Sequence, residues 1–302
     1  MSLSAEELQQ HCAAIITLAK LSNRIVILCE GNINDIKGRV HLYRRLEIFP
    51  DANFYKACIP EWWTEKRPTF IPCGDKTDVI NTYFELKKLN FNEGKLFAVI
   101  DLDLQPTYQF ENYPIADTEQ LFNTLYQENT PHLENIKQNS IFITGLIYKE
   151  AYFFVPDIKE VFENYPLEIS FNDSPFDLNG IYEKMGESLG MDENLKKNFS
   201  IAQQRIAYLT QLDLTNLTTL QSSWSTVFNL AEAEEKTALS YALLSIHQVK
   251  NYWKSIKSNS DAITDARFKE QLTLTIGNFY AKQPRASQHH LPSFFNALSA
   301  IT

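Results

Sequence analysis

Ile25-Val26-Ile27-Leu28-Cys29-Glu30-Gly31 and Leu96-Phe97-Ala98-Val99-Ile100-Asp101-Leu102-Asp103 share one construction: a run of β-prone apolar residues that stops abruptly at carboxylates. Runs that are apolar at every position, rather than at alternate ones, are expected of parallel strands covered on both faces. Open α/β sheets place their ligands at the carboxyl ends of such strands. Carboxylates delivered from two strand ends repel one another unless a cation sits between them, which predicts a divalent-metal site.

Working outward, residues 4–21 set Leu8, Cys12, Ile15, Ile16 and Leu18 at helical spacing and predict a leading amphipathic helix. After the first strand, Asn32 to Asp35 offer caps for a helix reaching about Leu46. Pro50 and Asp51 break the chain before an expected strand at 53–59. A loop follows at 60–68, then a short strand at 69–73. Gly74-Asp75-Lys76-Thr77-Asp78 is a turn that caps a helix over 78–89, and Asn92-Glu93-Gly94 turns the chain into the second acidic strand. A helix at 118–126 and a strand at 140–144 complete an alternation that predicts a doubly wound, mainly parallel α/β sheet with right-handed crossovers. Beyond residue 157 the pattern turns helical, at 194–209, 217–230 and 231–257. The expected organisation is an α/β metal-binding domain over 1–157 and an α-helical C-terminal subdomain over 158–302, packed directly on it.

Composition bounds the function classes. The 302 residues are 44% hydrophobic and 13% aromatic, with 9 glycines and 12 prolines, as expected of a globular chain with a substantial core and no flexible linker. A net charge of -9 argues against a surface that is basic overall, yet leaves room for a local nucleic-acid site, because bound metal offsets clustered carboxylates. No apolar stretch is long enough to span a bilayer, and the start Met1-Ser2-Leu3-Ser4-Ala5-Glu6-Glu7 lacks the features of a secretory signal, so a cytoplasmic location is expected. Cys12, Cys29, Cys58 and Cys73 lack zinc spacing and read as reduced core residues. His289 and His290, in a polar stretch, read as solvated.

Each acid has a bland alternative when taken alone. Glu30 would suit a surface strand–helix turn, and an aspartate pair is common after a strand. Asp101 and Asp103, however, stand at i and i+2 of an extended segment and would face the same side. The order is strand-Glu-Gly, helix, strand, helix, then strand-Asp-x-Asp about 70 residues on. This arrangement resembles the Toprim domain, the metal-binding α/β fold of topoisomerases, bacterial primases and nucleases of the overcoming-lysogenization-defect type. The resemblance covers about residues 22–155 and implies Glu30, Asp101 and Asp103 as the acidic set.

Finer features are similar to the nuclease branch. Val26-Ile27-Leu28-Cys29-Glu30-Gly31-x-x-x-Asp35 looks like its opening motif, and Gly74-Asp75-Lys76 falls where related proteins carry a glycine turn with a lysine. Tyr148-Lys149-Glu150-Ala151-Tyr152-Phe153 is similar to an acidic-aromatic segment of some Toprim-like proteins, with Ala151 in place of asparagine. Size and layout are comparable to the Toprim subunit of the PARIS anti-phage system. What the resemblance implies is a Mg2+- or Mn2+-dependent endonuclease acting on DNA or RNA, tRNA included, in anti-phage defence. An ATPase partner protein and a homodimer are the implied associations.

In that reading Glu30, Asp101, Asp103 and Glu150 hold the metal, and Lys76 neutralises a phosphate oxygen. The competing reading of Glu150 is a half-buried acid paired with Lys149, that of Lys76 an exposed turn lysine, and that of Asp35 a helix cap. Arg39, Arg44 and Arg45 on the helix after Glu30, with Lys66 and Arg67 beside Trp62 and Trp63, are the candidate nucleic-acid contacts. Packing of the tryptophan pair on the helical subdomain or on a partner subunit is the favoured alternative to base stacking. Two other classes stay open: a non-catalytic Toprim-like regulatory or interaction subunit, and a flavodoxin-like or receiver-type domain, which also carries acids at strand ends.

Overall fold

The structure, a computed structural model, describes residues 2–33, 43, 45, 49–104, 108–111 and 113–301. Helix α1 (Ala5–Ile16) opens on a capping box between Ser4 and Glu7. Then come β1 (Val26–Cys29), α2 (Pro50–Ala57), β2 (Thr69–Pro72), α3 (Lys76–Lys88) and β3 (Leu96–Ile100). Helix α4 (Thr118–Leu125), a small hairpin of β4 (Tyr126–Gln127) and β5 (Thr130–Pro131), α5 (Leu133–Gln138) and β6 (Ile141–Ile143) complete the first half.

Strands β2, β1, β3 and β6 lie in that order in one sheet, all parallel. Every residue of β1, β3 and β6 is buried, so both faces are covered, as their unbroken apolar runs require. The chain leaves β1 toward one edge and β3 toward the other. The carboxyl ends of β1 and β3 therefore flank the point where the winding reverses, the crevice in which open α/β sheets bind ligands. Register pairs Cys29 with Val99, which sets Glu30 beside the end of β3.

The expected strand at 53–59 is instead helix α2. Pro50 stands in its first turn, where a missing N–H costs nothing, with Asp51 beside it at the positive end of the helix. Ala52, Phe54 and Tyr55 are its buried side. A short apolar run with two aromatics does not distinguish strand from helix by period, and packing decides. The helix expected from Asn32 to about Leu46 lies largely outside the described residues.

The second half comprises α6 (Lys159–Glu163), β7 (Ile169–Phe171), β8 (Ser174–Pro175), α7 (Leu178–Ser188), α8 (Glu193–Lys197) and α9 (Phe199–Ile206). It continues through α10 (Leu217–Leu230), α11 (Ala233–Ile246), α12 (Lys250–Lys254), β9 (Ile256–Ser258), α13 (Asp265–Ala281) and α14 (His290–Ile301). Two expected helices are broken: the one at 194–209 at Asn198, and the one at 231–257 after Ile246 and again where β9 begins. Strand β7 pairs antiparallel with β8 and β9 in a small sheet that the helical pattern did not predict.

The C-terminal helices return to the first half. On α13, a Cβ added at Gly277 would come within 2.6 Å of the Ala57 Cβ, so the absence of a side chain lets this helix lie against α2. On α14, Phe294 meets Phe142 of β6 and Phe295 meets Phe70 of β2 and Trp63, all at aromatic contact distance. This helix also buries His290, contrary to the solvated reading. Its Nε2 lies 2.5 Å from the Asn129 carbonyl, and burial pushes its pKa down to about 4. One continuous hydrophobic cluster runs through both halves. All four cysteines are buried and unpaired, as expected. Among the described residues, no helix is long and apolar enough to cross a membrane.

Candidate functional site

At the crevice between the ends of β1 and β3 a cleft of about 340 Å3 opens, and Glu30, Asp101 and Glu150 all line it. Glu30 Oε1 accepts the backbone N–H of Asp101 at 2.8 Å, tying the two strand ends together. Gly31 exchanges both backbone hydrogen bonds with Gly74, at 2.9 Å each, and this bridge extends the β1–β2 pairing into the loops that wall the cleft. A Cβ at Gly31 would meet Asp51 Oδ2 and Pro72 Cβ at 2.9 Å. The close approach that requires glycine here is thus to α2 and β2. Gly74, at φ +102°, is required on both grounds, because a Cβ would come within 2.2 Å of Asp78 Oδ2.

Strand β3 ends at Ile100, so both aspartates lie beyond it, and Asp103 takes the left-handed conformation at φ +46°. The two carboxylates consequently have different surroundings. Asp101 lines the cleft, while Asp103 Oδ2 pairs with Lys76 Nζ at 3.2 Å. Lys76 is the first residue of α3 rather than a free turn lysine. Its ammonium also donates to the Leu102 carbonyl at 3.5 Å. The loop between the aspartates is fastened from beneath: Leu102 N–H donates to Thr144 Oγ1 and Asp103 N–H to the Ile147 carbonyl, both at 2.9 Å.

Electrostatics follow from this crowding. Burial, then Asp101 and Asp103, push Glu30 well above the usual carboxyl range, against the opposing pull of Lys76. Asp101 is raised to about 7 by burial, Asp103 and Glu150, against Lys250 and Lys149. The folded protein therefore prefers Asp101 protonated, relative to its ordinary value of 3.8. Stability from this group is complete below about pH 4 and is lost as pH rises through about 7. In cation-free buffer, the melting temperature of the unmodified chain should fall relative to Asp101→Asn across that window. Thermal unfolding of both from pH 4 to 8 in EDTA checks this; parallel curves would contradict it.

Other groups in the cleft have no local signature in the sequence. Asp51, read as a helix breaker, reaches in from α2 and forms an ion pair with Lys149. Burial alone would lower the pKa of Lys149, but Asp51 and Glu150 hold it above the ordinary value. Glu150 Oε1 stands 3.8 Å from Lys149 Nζ, so this acid both pairs with the lysine and faces the cleft. Lys250, the first residue of α12, brings a second cation from the distant half of the chain, its Nζ 4.1 Å from the centre of the Tyr148 ring. Asp75 and Asp78 complete the wall at the start of α3.

Arg205 of α9 was also invisible in the sequence reading. Its buried guanidinium donates to the carbonyls of Asp103 at 2.7 Å, Leu102 at 3.4 Å and Ser245 at 3.1 Å, and bridges to the Glu119 carboxylate of α4 at 2.5 and 3.2 Å. It thereby joins the aspartate loop to both halves of the molecule.

Among the described candidate nucleic-acid contacts, Arg45, Lys66 and Arg67 do not line this cleft. Arg39 and Arg44, with Asp35, lie outside the described residues, and Arg45 is exposed. Lys66 and Arg67 are exposed on the loop before β2, and Arg67 donates to the Ile59 carbonyl at 2.9 Å. Trp63 packs on Phe295, and Trp62 lies under the Arg285 guanidinium at 4.4 Å, so the tryptophan pair packs within the chain.

The acidic side chains of the cleft offer oxygen donors, which suit Mg2+ or Mn2+, and Glu30 and Asp101 are raised first by burial and then by neighbouring carboxylates whose repulsion a cation would relieve. Among the described residues, no three acidic, histidine or cysteine side chains are drawn together tightly enough to form a finished metal cage. Asp103 is turned to Lys76, and one oxygen of Glu30 to the Asp101 N–H. The chain matches no protein-family model, no curated protein and no solved structure.

Proposed function

We propose that this chain is a Toprim-type nuclease that hydrolyses phosphodiester bonds of DNA or RNA with Mg2+ or Mn2+. The observation that carries the reading is the meeting of Glu30 and Asp101 at the reversal point of a four-stranded parallel sheet, where Glu150 lines the same cleft and Asp103 follows two residues on. Glu30, Asp101 and Glu150, with Asp103 beside them, would hold the ion. The ion would supply charge stabilisation at the phosphorus centre and a more acidic bound water.

The chain's own residues divide the remaining work. Lys76 pairs with Asp103 and would position that carboxylate, or would turn to a phosphate oxygen of the substrate. Lys149 and Lys250 are the cleft's cations and would take phosphate oxygens of the substrate strand. Arg205 and Thr144 hold the aspartate loop so that the carboxylates need no reorganisation when substrate arrives. Control by an ATPase partner, a homodimeric state and a role in anti-phage defence rest on the sequence resemblance alone.

The test is Mn2+ calorimetry on the full chain, which needs neither substrate nor partner. Saturable binding is expected for the unmodified chain and at least about tenfold weaker binding for Asp101→Asn and Glu30→Gln, since each replaces a charged oxygen ligand by a neutral amide. Absent binding, or equal binding in all three proteins, would favour a non-catalytic interaction module of the same fold.

A further inference from the structure

A second cleft, of about 490 Å3, lies wholly in the C-terminal half and owes nothing to the acids of the sheet. Its wall contains Ser188, the last residue of α7; Asp192, the N-cap of α8; and His247, the C-cap of α11. Ser188 Oγ stands 3.0 Å from His247 Nε2, and His247 Nδ1 stands 3.0 Å from Asp192 Oδ2. Asp192 and His247 are almost fully buried, while Ser188 is half-buried.

The surroundings settle the direction of these hydrogen bonds. Asp192 accepts from the backbone N–H groups of Asn194, Leu195 and Gln248 at 3.0, 3.1 and 3.2 Å, in addition to His247. Burial would raise its pKa, but these donors, His247 foremost, hold it below the usual value, so it is an anion that only accepts. His247 Nδ1 must then carry hydrogen, and in the neutral tautomer of this geometry the Nε2 lone pair faces the serine hydroxyl. The hydroxyl proton has a second acceptor in reach, the Met185 carbonyl at 2.9 Å, and rotation about the Cβ–Oγ bond carries it from one to the other. Tyr252, which also lines the cleft, places its hydroxyl 2.7 Å from Ser188 Oγ and 3.2 Å from the Lys184 carbonyl, to which it donates until a substrate oxygen competes for that proton. Nucleophile, base and orienting acid thus stand in sequence at hydrogen-bond distance, with a phenolic donor beside the nucleophile.

We propose that Ser188, His247 and Asp192 form a second, metal-independent catalytic site that hydrolyses carboxylic esters with a small apolar acyl group. Phe171, Met191 and Tyr252 give the cleft its apolar wall, with the Phe171 and Tyr252 rings parallel at 6.0 Å. In the step, Ser188 Oγ bonds to the ester carbonyl carbon while its proton passes to His247 Nε2. Tyr252 donates to the carbonyl oxygen as it gains charge. The carbon–alkoxide bond then breaks, His247 returns the proton to the leaving alcohol, and water repeats the sequence on the acyl-serine to release the acid and restore the hydroxyl.

The experiment treats the full chain, in EDTA so that any divalent-metal chemistry is silent, with an alkyl fluorophosphonate and follows intact mass and peptide mapping. One adduct per chain, on Ser188, is expected, together with slow hydrolysis of p-nitrophenyl butyrate. Ser188→Ala should abolish both, and His247→Gln should slow labelling by about 100-fold or more. No adduct on the unmodified chain, an adduct at another residue, or equal labelling of the His247 variant would overturn the proposal and leave the three side chains as a tie between helix ends. None of these outcomes bears on Mn2+ binding at the sheet.

Discussion

Mn2+-dependent phosphodiester cleavage is expected to fall by at least about 10³-fold in Asp101→Asn, and as far in Glu30→Gln, a loss of roughly 4 kcal/mol of transition-state stabilisation. Both substitutions preserve shape and remove only a negative charge. In the cation-free fold that charge is a burden, because burial and the neighbouring acids raise both groups. Activity and stability should therefore move in opposite directions: cleavage disappears while the melting temperature at pH 8 in EDTA holds or rises. A gel assay on single- and double-stranded DNA and on structured RNA, paired with thermal unfolding, reads both quantities. Cleavage that survives in both variants would sink the nuclease reading. Cleavage lost together with a fall in melting temperature would show that the variants had merely unfolded.

The second large effect is on stability. Arg205→Met should destabilise the chain by about 3–5 kcal/mol, the cost expected when one partner of a buried ion pair is removed. The guanidinium serves the Glu119 carboxylate and three backbone carbonyls, and methionine fills much of its volume while donating to none of them. Arg205→Lys should recover only part of the loss, because an ammonium cannot reproduce the planar fork that spans Glu119 and the aspartate loop. Urea unfolding of the three proteins measures this. A Met variant within about 1 kcal/mol of the unmodified chain would mean that water replaces the guanidinium, which the burial of Arg205 argues against. Since Arg205 binds the carbonyls that flank the Asp103 Cα, the Lys variant should also weaken Mn2+ binding while it remains folded.

Placement of the acids was legible because it depends on local pattern. An apolar run buried on both faces reads as a parallel strand wherever it occurs, and whatever follows it emerges at the carboxyl end of the sheet. Glu30 and Asp101 accordingly line one cleft, which Glu150, expected there only from the resemblance, lines as well. The conformation at Asp103 was not legible. An i, i+2 pair was expected to remain extended, but the loop turns through a left-handed residue and is held there by Ile147, Arg205 and Lys76. Two of these fasteners, Ile147 and Arg205, come from residues at least 44 positions away, and no spacing rule records them.

Residue type and short-range period were enough for the parallel α/β sheet, the acids at its reversal point and the unpaired buried cysteines. Packing across the chain decided that residues 50–57 form a helix, that α14 docks on the sheet through Phe294 and Phe295, that Lys250 and Asp51 enter the acidic cleft, and that Ser188, Asp192 and His247 meet. The physical reason is common to all four. Helix or strand in a short aromatic run, and the partner of a lone charged or hydroxyl side chain, are settled by burial and hydrogen bonding against distant segments, whose free energies outweigh the small local preferences of the residues themselves.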